Sequence, residues 1–252
     1  MYDDEFELTF DLSDEASRAP APEQEPVQEA APEPAAETEP AAETEPPVEA
    51  VPEPAVPAAN GRCVLISGGD RGIGAAAARA FWQAGYRVAV LYHTHAEAAA
   101  ALEKELPGLL AVQCDVASRA SCEVAFHTVE QAVGHVDVLV SNAGIAQQKL
   151  FTDITPEEWQ HMLDVNLSGA FHLCQLALPG MIRRKAGRIL TVSSMWGQTG
   201  GSCEVAYSAA KAGLIGLGKA LAKEEGPSGI TVNVIAPGVI CLLYTSDAAD
   251  DR

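Results

Sequence analysis

The 252-residue sequence has no CxxC pair, no apolar run near the roughly eighteen residues of a membrane span, and one basic residue in its first sixty. Each absence narrows the reading. The six cysteines, at 63, 114, 122, 174, 203 and 241, are scattered, so buried reduced thiols are expected and no metal site is assigned. A secretory signal needs a basic start and an apolar stretch, and the opening "MYDDEFELTFDL" is acidic. A cytoplasmic protein with no membrane segment is the expectation.

Positive charge is scarce in an uneven way. The formal net charge is −19, yet residues 1–60 hold 17 acidic side chains against one Arg, while the other 192 residues hold 18 acids and 15 bases. The acidity therefore belongs to a leader, which also carries eleven of the sixteen prolines and repeats "PAAETE" at 34–39 and 40–45. Dense proline, like charge and low hydrophobicity cannot bury enough apolar surface to offset the entropy of ordering a chain. Residues 1–60 are accordingly expected to form a disordered acidic extension. Its charge argues against nucleic-acid binding. The lone basic cluster, "IRRK" at 182–185, ends a long helical stretch, where cations complement the helix dipole.

From Arg62 the texture changes. "CVLIS", "RVAVLY", "LLAVQ", "VDVLVS", "GRILTVS" and "TVNVIA" are apolar runs of strand length, the pattern of parallel strands covered on both faces. Helical stretches alternate with them over 73–84, 96–106, 118–133, 156–184 and 204–224. Six such alternations predict an α/β fold, a doubly wound parallel sheet of the Rossmann type.

Where the first run ends, "SGGDRGIG" places Gly68, Gly72 and Gly74 between a strand and a helix. A turn that brings backbone against a pyrophosphate needs glycine, and the helix start supplies N–H groups and a positive dipole end. An acid closing the second strand would bind a ribose 2′-hydroxyl; here Tyr92 and His93 stand in its place, and Arg71 precedes Gly72. That combination predicts a 2′-phosphate, hence NADP(H). Farther on, Tyr207 and Lys211 lie four apart in an alanine-rich helical stretch and share a face, with Ser194 just beyond the fifth strand. A phenol titrates near about pH 10, and a neighbouring ammonium favours the phenolate, so the pair suits proton exchange at a carbonyl.

Over residues 62–240 the sequence resembles the short-chain dehydrogenase/reductase family. The resemblance rests on the Gly68, Gly72, Gly74 turn, "CDV" at Asp115 and Val116, "SNAG" at Asn142, Ala143 and Gly144, "VNLSG" at Asn166, then Ser194, Tyr207, Lys211, and "APG" at Pro237 and Gly238. It departs mildly in "SGGDRGIG" for a Thr-Gly opening and in "SNAG" for Asn-Asn-Ala-Gly. By that resemblance Asn166, Ser194, Tyr207 and Lys211 form a catalytic tetrad, and Ile73, Asp115, Val116, Asn142, Ala143, Gly144, Pro237, Gly238 and Ile240 join the glycine turn around the cofactor.

The resemblance implies an NADPH-dependent carbonyl reductase. Tyr207 gives the proton, Ser194 holds the carbonyl oxygen, Lys211 lowers the phenol pKa and binds the nicotinamide ribose, and Asn166 keeps a water. General similarity is greatest to 3-oxoacyl-[acyl-carrier-protein] reductases, with a carrier-linked or small-molecule ketone as substrate and a homodimer or homotetramer as the assembly. A narrower likeness, in "GIAQQKLFTDIT", "LPGMIRRKAGRI" and "SSMWGQTGGSCEVAYSAAK", is to elongation factor P 5-aminopentanone reductases, which implies a ketone on a modified protein lysine. Trp196 and Glu204 flank the route from Ser194 to Tyr207. The carboxylate either binds a substrate amine or simply caps the Tyr207 helix. A non-catalytic NADP-sensing protein on the same fold is the third reading; the Tyr207–Lys211 pair speaks against it. Within residues 241–252, "CLLYTSDAAD" resembles a translated sequencing adapter, so a non-native tail is expected there, in place of the family's substrate lid and last strand.

Overall fold

Alternate side chains of the first strand enter different cores: Cys63 and Leu65 pack in one cluster, Val64 and Ile66 in another, all with no exposed surface. A strand with both faces buried must lie inside a sheet covered on two sides. The computed structural model describes residues 59–238 of the chain, and the expected acidic extension and adapter-like tail fall outside them apart from Ala59 and Asn60. Within the described residues the order is β1 (Cys63–Ser67), α1 (Gly72–Gln83), β2 (Arg87–Tyr92), α2 (Ala96–Glu105), β3 (Leu110–Gln113), α3 (Arg119–Val133), β4 (Val138–Ser141), α4 (Pro156–Leu163), α5 (Gly169–Arg184), β5 (Gly187–Val192), α6 (Trp196–Thr199), α7 (Val205–Glu225) and β6 (Ile230–Ile235).

All six strands run parallel in the order β3-β2-β1-β4-β5-β6. The order reverses between β1 and β4. Diverging connections leave a crevice at that switch point, outside the carboxyl ends of the strands, where ligands of open α/β sheets bind. Residues of α3 and α5 close one face, with Phe126, Val129, Leu173 and Met181 against Leu65, Leu139 and Ile189. Ala75, Ala78 and Trp82 of α1, with Leu102 of α2, close the other against Ile66, Val90 and Val140. Burying each such large side chain is worth roughly 1.5–3 kcal/mol, and two contiguous layers account for the rigid platform under the site.

Two expectations need correction. Coverage on both faces does not extend to the β6 edge: Thr231, Asn233 and Ile235 are exposed, because the α7 side takes only Ile230, Val232 and Val234. The single helix expected over 156–184 is divided. Its backbone stays right-handed helical, but Asp164–Ser168 form a wider π-helical turn between α4 and α5. A π turn inserts an extra residue into the helical repeat and is common at functional sites; this one contains Asn166. Among the described residues no helix is long and apolar enough to cross a membrane.

Candidate active site

The glycine turn is forced by its geometry. Gly68 and Gly72 have φ of +60° and +53°, values that side chains rarely tolerate. A Cβ on Gly74 would overlap the Gly68 carbonyl oxygen, so the helix approaches the turn as closely as backbone allows. Arg71 occupies the N-cap position of α1 with extended backbone, and no side chain caps that helix end. The residues present therefore fit a dinucleotide pyrophosphate: a close backbone turn, a helix start left to an anion, and no acid in the first turn.

Ser67, fully buried at the end of β1, ties the turn to β4. Its Oγ accepts from the Asn142 and Ala143 N–H groups at 3.0 and 3.1 Å, while Asn142 Nδ2 donates to the carbonyls of Ser67 and Gly68 at 3.0 and 2.9 Å. The sequence points to Asn142 and Ala143 and allows a hydroxyl role for the serine that opens "SGGDRGIG", but does not show what Ser67 bonds to. A small hydroxyl at the last position of an otherwise apolar strand was the available signal.

Toward β2 and β3, Asp115 donates its N–H to Ser121 Oγ at 3.0 Å and accepts from the Ala117 N–H at 3.0 Å; Val116 beside it is buried. Tyr92 is half-buried at the end of β2 and His93 is exposed. Arg71 reaches neither of these in a hydrogen bond; its Nη1 donates to His95 Nε2 at 3.1 Å. His95 Nδ1 in turn lies 3.2 Å from Thr94 Oγ1 and 3.6 Å from a carboxylate oxygen of Asp70, whose side chain is 6% exposed. His95 and Asp70 escaped the sequence reading.

Beyond β5, four side chains gather. Lys211, 3% exposed, donates from Nζ to the Val192 carbonyl at 2.9 Å, and burial lowers its pKa from 10.5 to about 8. The same Nζ lies 5.6 Å from the centre of the Tyr207 ring, and the ring packs with Ile154, Trp159 and Leu163 against Met162, Ala206 and Ala210. Ser193, also missed from sequence, donates from Oγ to the Lys211 carbonyl at 2.7 Å and so pins α7 to the end of β5. Ser194 is buried, and its Oγ accepts from the Trp196 N–H at 3.2 Å.

Asn166 comes in from the π turn. Its Nδ2 donates to the carbonyls of Ile145 and Met162 at 3.0 and 3.1 Å, while its buried Oδ1 has no partner among the described residues. A Cβ at Gly144 would lie 2.6 Å from that oxygen and 3.1 Å from Lys211 Nζ, so the Asn166 acceptor and the Lys211 donor border one small space. The Pro237 carbonyl accepts from the Met195 N–H at 2.8 Å, which places "APG" beside Ser194; Gly238 follows it, exposed, and Ile240 lies outside the described residues.

Glu204 sits at the N-cap position of α7 but makes no cap hydrogen bond. Its carboxylate is buried, one oxygen has no partner among the described residues, and burial, countered by a hydrogen bond from Gln148, holds its pKa above the ordinary value. The side chain therefore makes no capping hydrogen bond, although it stands at the positive end of the α7 dipole. Trp196 stands next to it across Gly201, where a Cβ would lie 3.0 Å from the indole and 3.2 Å from Glu204 Cβ.

A doubly wound sheet with a glycine turn at its switch point and a buried Lys beside a Tyr beyond β5 defines a dinucleotide-dependent α/β oxidoreductase. The family model for short chain dehydrogenases matches residues 62–249, and the chain belongs to that family. It is 46% identical over 179 residues to an acetoacetyl-CoA reductase of Rhizobium meliloti (strain 1021), covering 71% of this chain and 74% of the relative. It is 39% identical over 196 residues to the 3-oxoacyl-[acyl-carrier-protein] reductase MabA of Mycobacterium avium, covering 78% and 73%. To the 3-oxoacyl-[acyl-carrier-protein] reductase FabG of Staphylococcus aureus (strain Mu50 / ATCC 700699) it is 37% identical over 194 residues, covering 75% and 79%. The chain is thus an NAD(P)H-dependent oxidoreductase acting on CH–OH and C=O groups.

Proposed function

We propose that the chain reduces the ketone of a 3-oxoacyl thioester with NADPH as the hydride source. The observation that carries the reading is the buried Lys211 ammonium beside the Tyr207 ring, with Ser194 at the neighbouring strand end. A carbonyl oxygen gaining negative charge needs a hydrogen-bond donor and a proton, placed in advance so that neither must reorganise during the reaction. Ser194 Oγ donates to the oxygen while accepting from the Trp196 N–H, which leaves its own proton free for substrate. Tyr207 gives the proton, and the Lys211 cation favours the phenolate left behind. Asn166 Oδ1, without a partner among the described residues and facing the same space as Lys211 Nζ, accepts from a water that returns protons to Lys211 and Tyr207.

NADPH supplies the hydride when bound. The Gly68–Gly74 turn holds its pyrophosphate, Asp115 and Val116 flank the adenine, and Asn142, Ala143 and Gly144 line the path to the nicotinamide. Arg71, with no acid at the end of β2, meets the 2′-phosphate. Steady-state reduction of acetoacetyl-CoA tests the reading: turnover is expected with NADPH and much less with NADH. An NADH preference would overturn the cofactor assignment, and inertness toward thioesters the substrate assignment.

The buried Glu204 carboxylate, with one oxygen unpartnered among the described residues, supports a second substrate class, a ketone bearing an ammonium group such as a 5-aminopentanone on a modified lysine. A carrier-linked 3-oxoacyl chain brings no positive charge to match it.

A further inference from the structure

We infer that His95 is a positioning residue for the 2′-phosphate end of the cofactor, holding the Arg71 guanidinium in place while Thr94 holds His95. The inference rests on the NADPH reading above. Arg71 lies on an exposed loop, and a long, solvated side chain must be ordered before it can grip a phosphate. Here it is ordered in advance: a guanidinium has only donors, so the 3.1 Å contact makes His95 Nε2 the acceptor and leaves the ring proton on Nδ1. Nδ1 lies 3.2 Å from Thr94 Oγ1, its hydrogen-bond partner, and an Asp70 carboxylate oxygen stands 3.6 Å away.

The choice of partner matters. Arg79, elsewhere on the same helix, is paired through Nε and Nη2 with the two oxygens of the Glu105 carboxylate, which neutralises it. A neutral imidazole fixes the Arg71 guanidinium through one nitrogen, leaves its charge uncompensated, and leaves its remaining donors for phosphate oxygens. The negative charge of the arrangement sits on Asp70, behind the ring and nearly out of solvent. His95 is at the N-cap position of α2, outside every motif that the sequence displays, and folding alone brings it to Arg71.

Calorimetric titration of the full chain with adenosine 2′,5′-bisphosphate and with 5′-AMP tests this without turnover. The wild-type chain is expected to bind the bisphosphate more tightly, and Arg71→Ala to lose the difference. His95→Ala should weaken the bisphosphate roughly tenfold, the scale of a hydrogen bond to a charged group, and leave 5′-AMP unchanged. His95→Gln, which keeps an acceptor, should recover most of that loss, and the Arg71→Ala/His95→Ala pair should bind no more weakly than Arg71→Ala alone. A wild-type preference undiminished by His95→Ala, or a His95→Ala loss equal for both nucleotides, overturns the inference while sparing the NADPH reading. Equal wild-type affinities, or no binding of either nucleotide, overturn the NADPH reading and the inference with it.

Discussion

The Lys211 ammonium stands 5.6 Å from the centre of the Tyr207 ring while it donates to the Val192 carbonyl at 2.9 Å. Two residues four apart on α7 are thereby held against the end of β5, and the phenol acquires a fixed cationic neighbour. Burial disfavours that charge and lowers the Lys211 pKa to about 8, while the Val192 carbonyl accepts from the ammonium.

Replacing Tyr207 with Phe removes only the hydroxyl. Ketone reduction should fall by roughly 10²–10⁴, the usual worth of a placed general acid, while NADPH binding measured by fluorescence titration stays unchanged. Near wild-type turnover in that variant would refute the assignment of Tyr207 as proton donor.

Lys211 should impose a pH dependence of its own. With a pKa near 8 it is an ammonium below that pH and neutral above it, so kcat/KM for reduction should decline above pH 8. Folding stability should move the other way. The folded chain releases this proton near 8 and the unfolded chain near 10.5, so the unfolded state binds more protons between those values and the folded state gains as pH rises through them. Chemical denaturation of wild type and Lys211→Met across that window measures the difference, and parallel profiles would contradict it.

Gly74→Ala introduces a methyl where the Gly68 carbonyl already sits. The turn must open, at a cost of about 1–3 kcal/mol, and dinucleotide binding should be lost with it. Thermal melts with and without NADPH report both effects: a lowered Tm and no cofactor-induced rise.

Glu204→Gln separates the two substrate classes. If the carboxylate recognises an ammonium, KM for 5-amino-2-pentanone should rise roughly tenfold or more, as for a lost charged hydrogen bond, with KM for 2-pentanone unchanged. A matched change for both ketones would assign Glu204 to packing beside Trp196.

Much of this was legible in the chain. The six apolar runs became six parallel strands to within a residue or two, because β-branched runs bounded by glycine and alternating with helical periodicity have few other ways to bury both faces. Gly68, Gly72 and Gly74 were readable because a positive φ or a backbone contact leaves no other residue type. The π turn was not readable: "MLDVNLSGA" has ordinary helical composition, and the extra residue in its turn is visible only in hydrogen-bond pairing. The partners of Ser67 and the roles of Ser193 and His95 were hidden for a related reason, since each acts on a residue far away in the chain. The N-cap position of Glu204 was legible locally, and its burial without a capping hydrogen bond was not.

The sequence by itself determined the class of fold, the glycine turn and the pairing of Tyr207 with Lys211, because local periodicity, backbone freedom and one helical turn are short-range properties. Only the tertiary structure decided what surrounds those groups. It closes Lys211 into a buried pocket whose desolvation lowers its pKa, turns Asn166 toward the same space, buries the Glu204 carboxylate and carries His95 to Arg71. Each of these depends on which distant backbone lies within about 3 Å, the reach of a hydrogen bond.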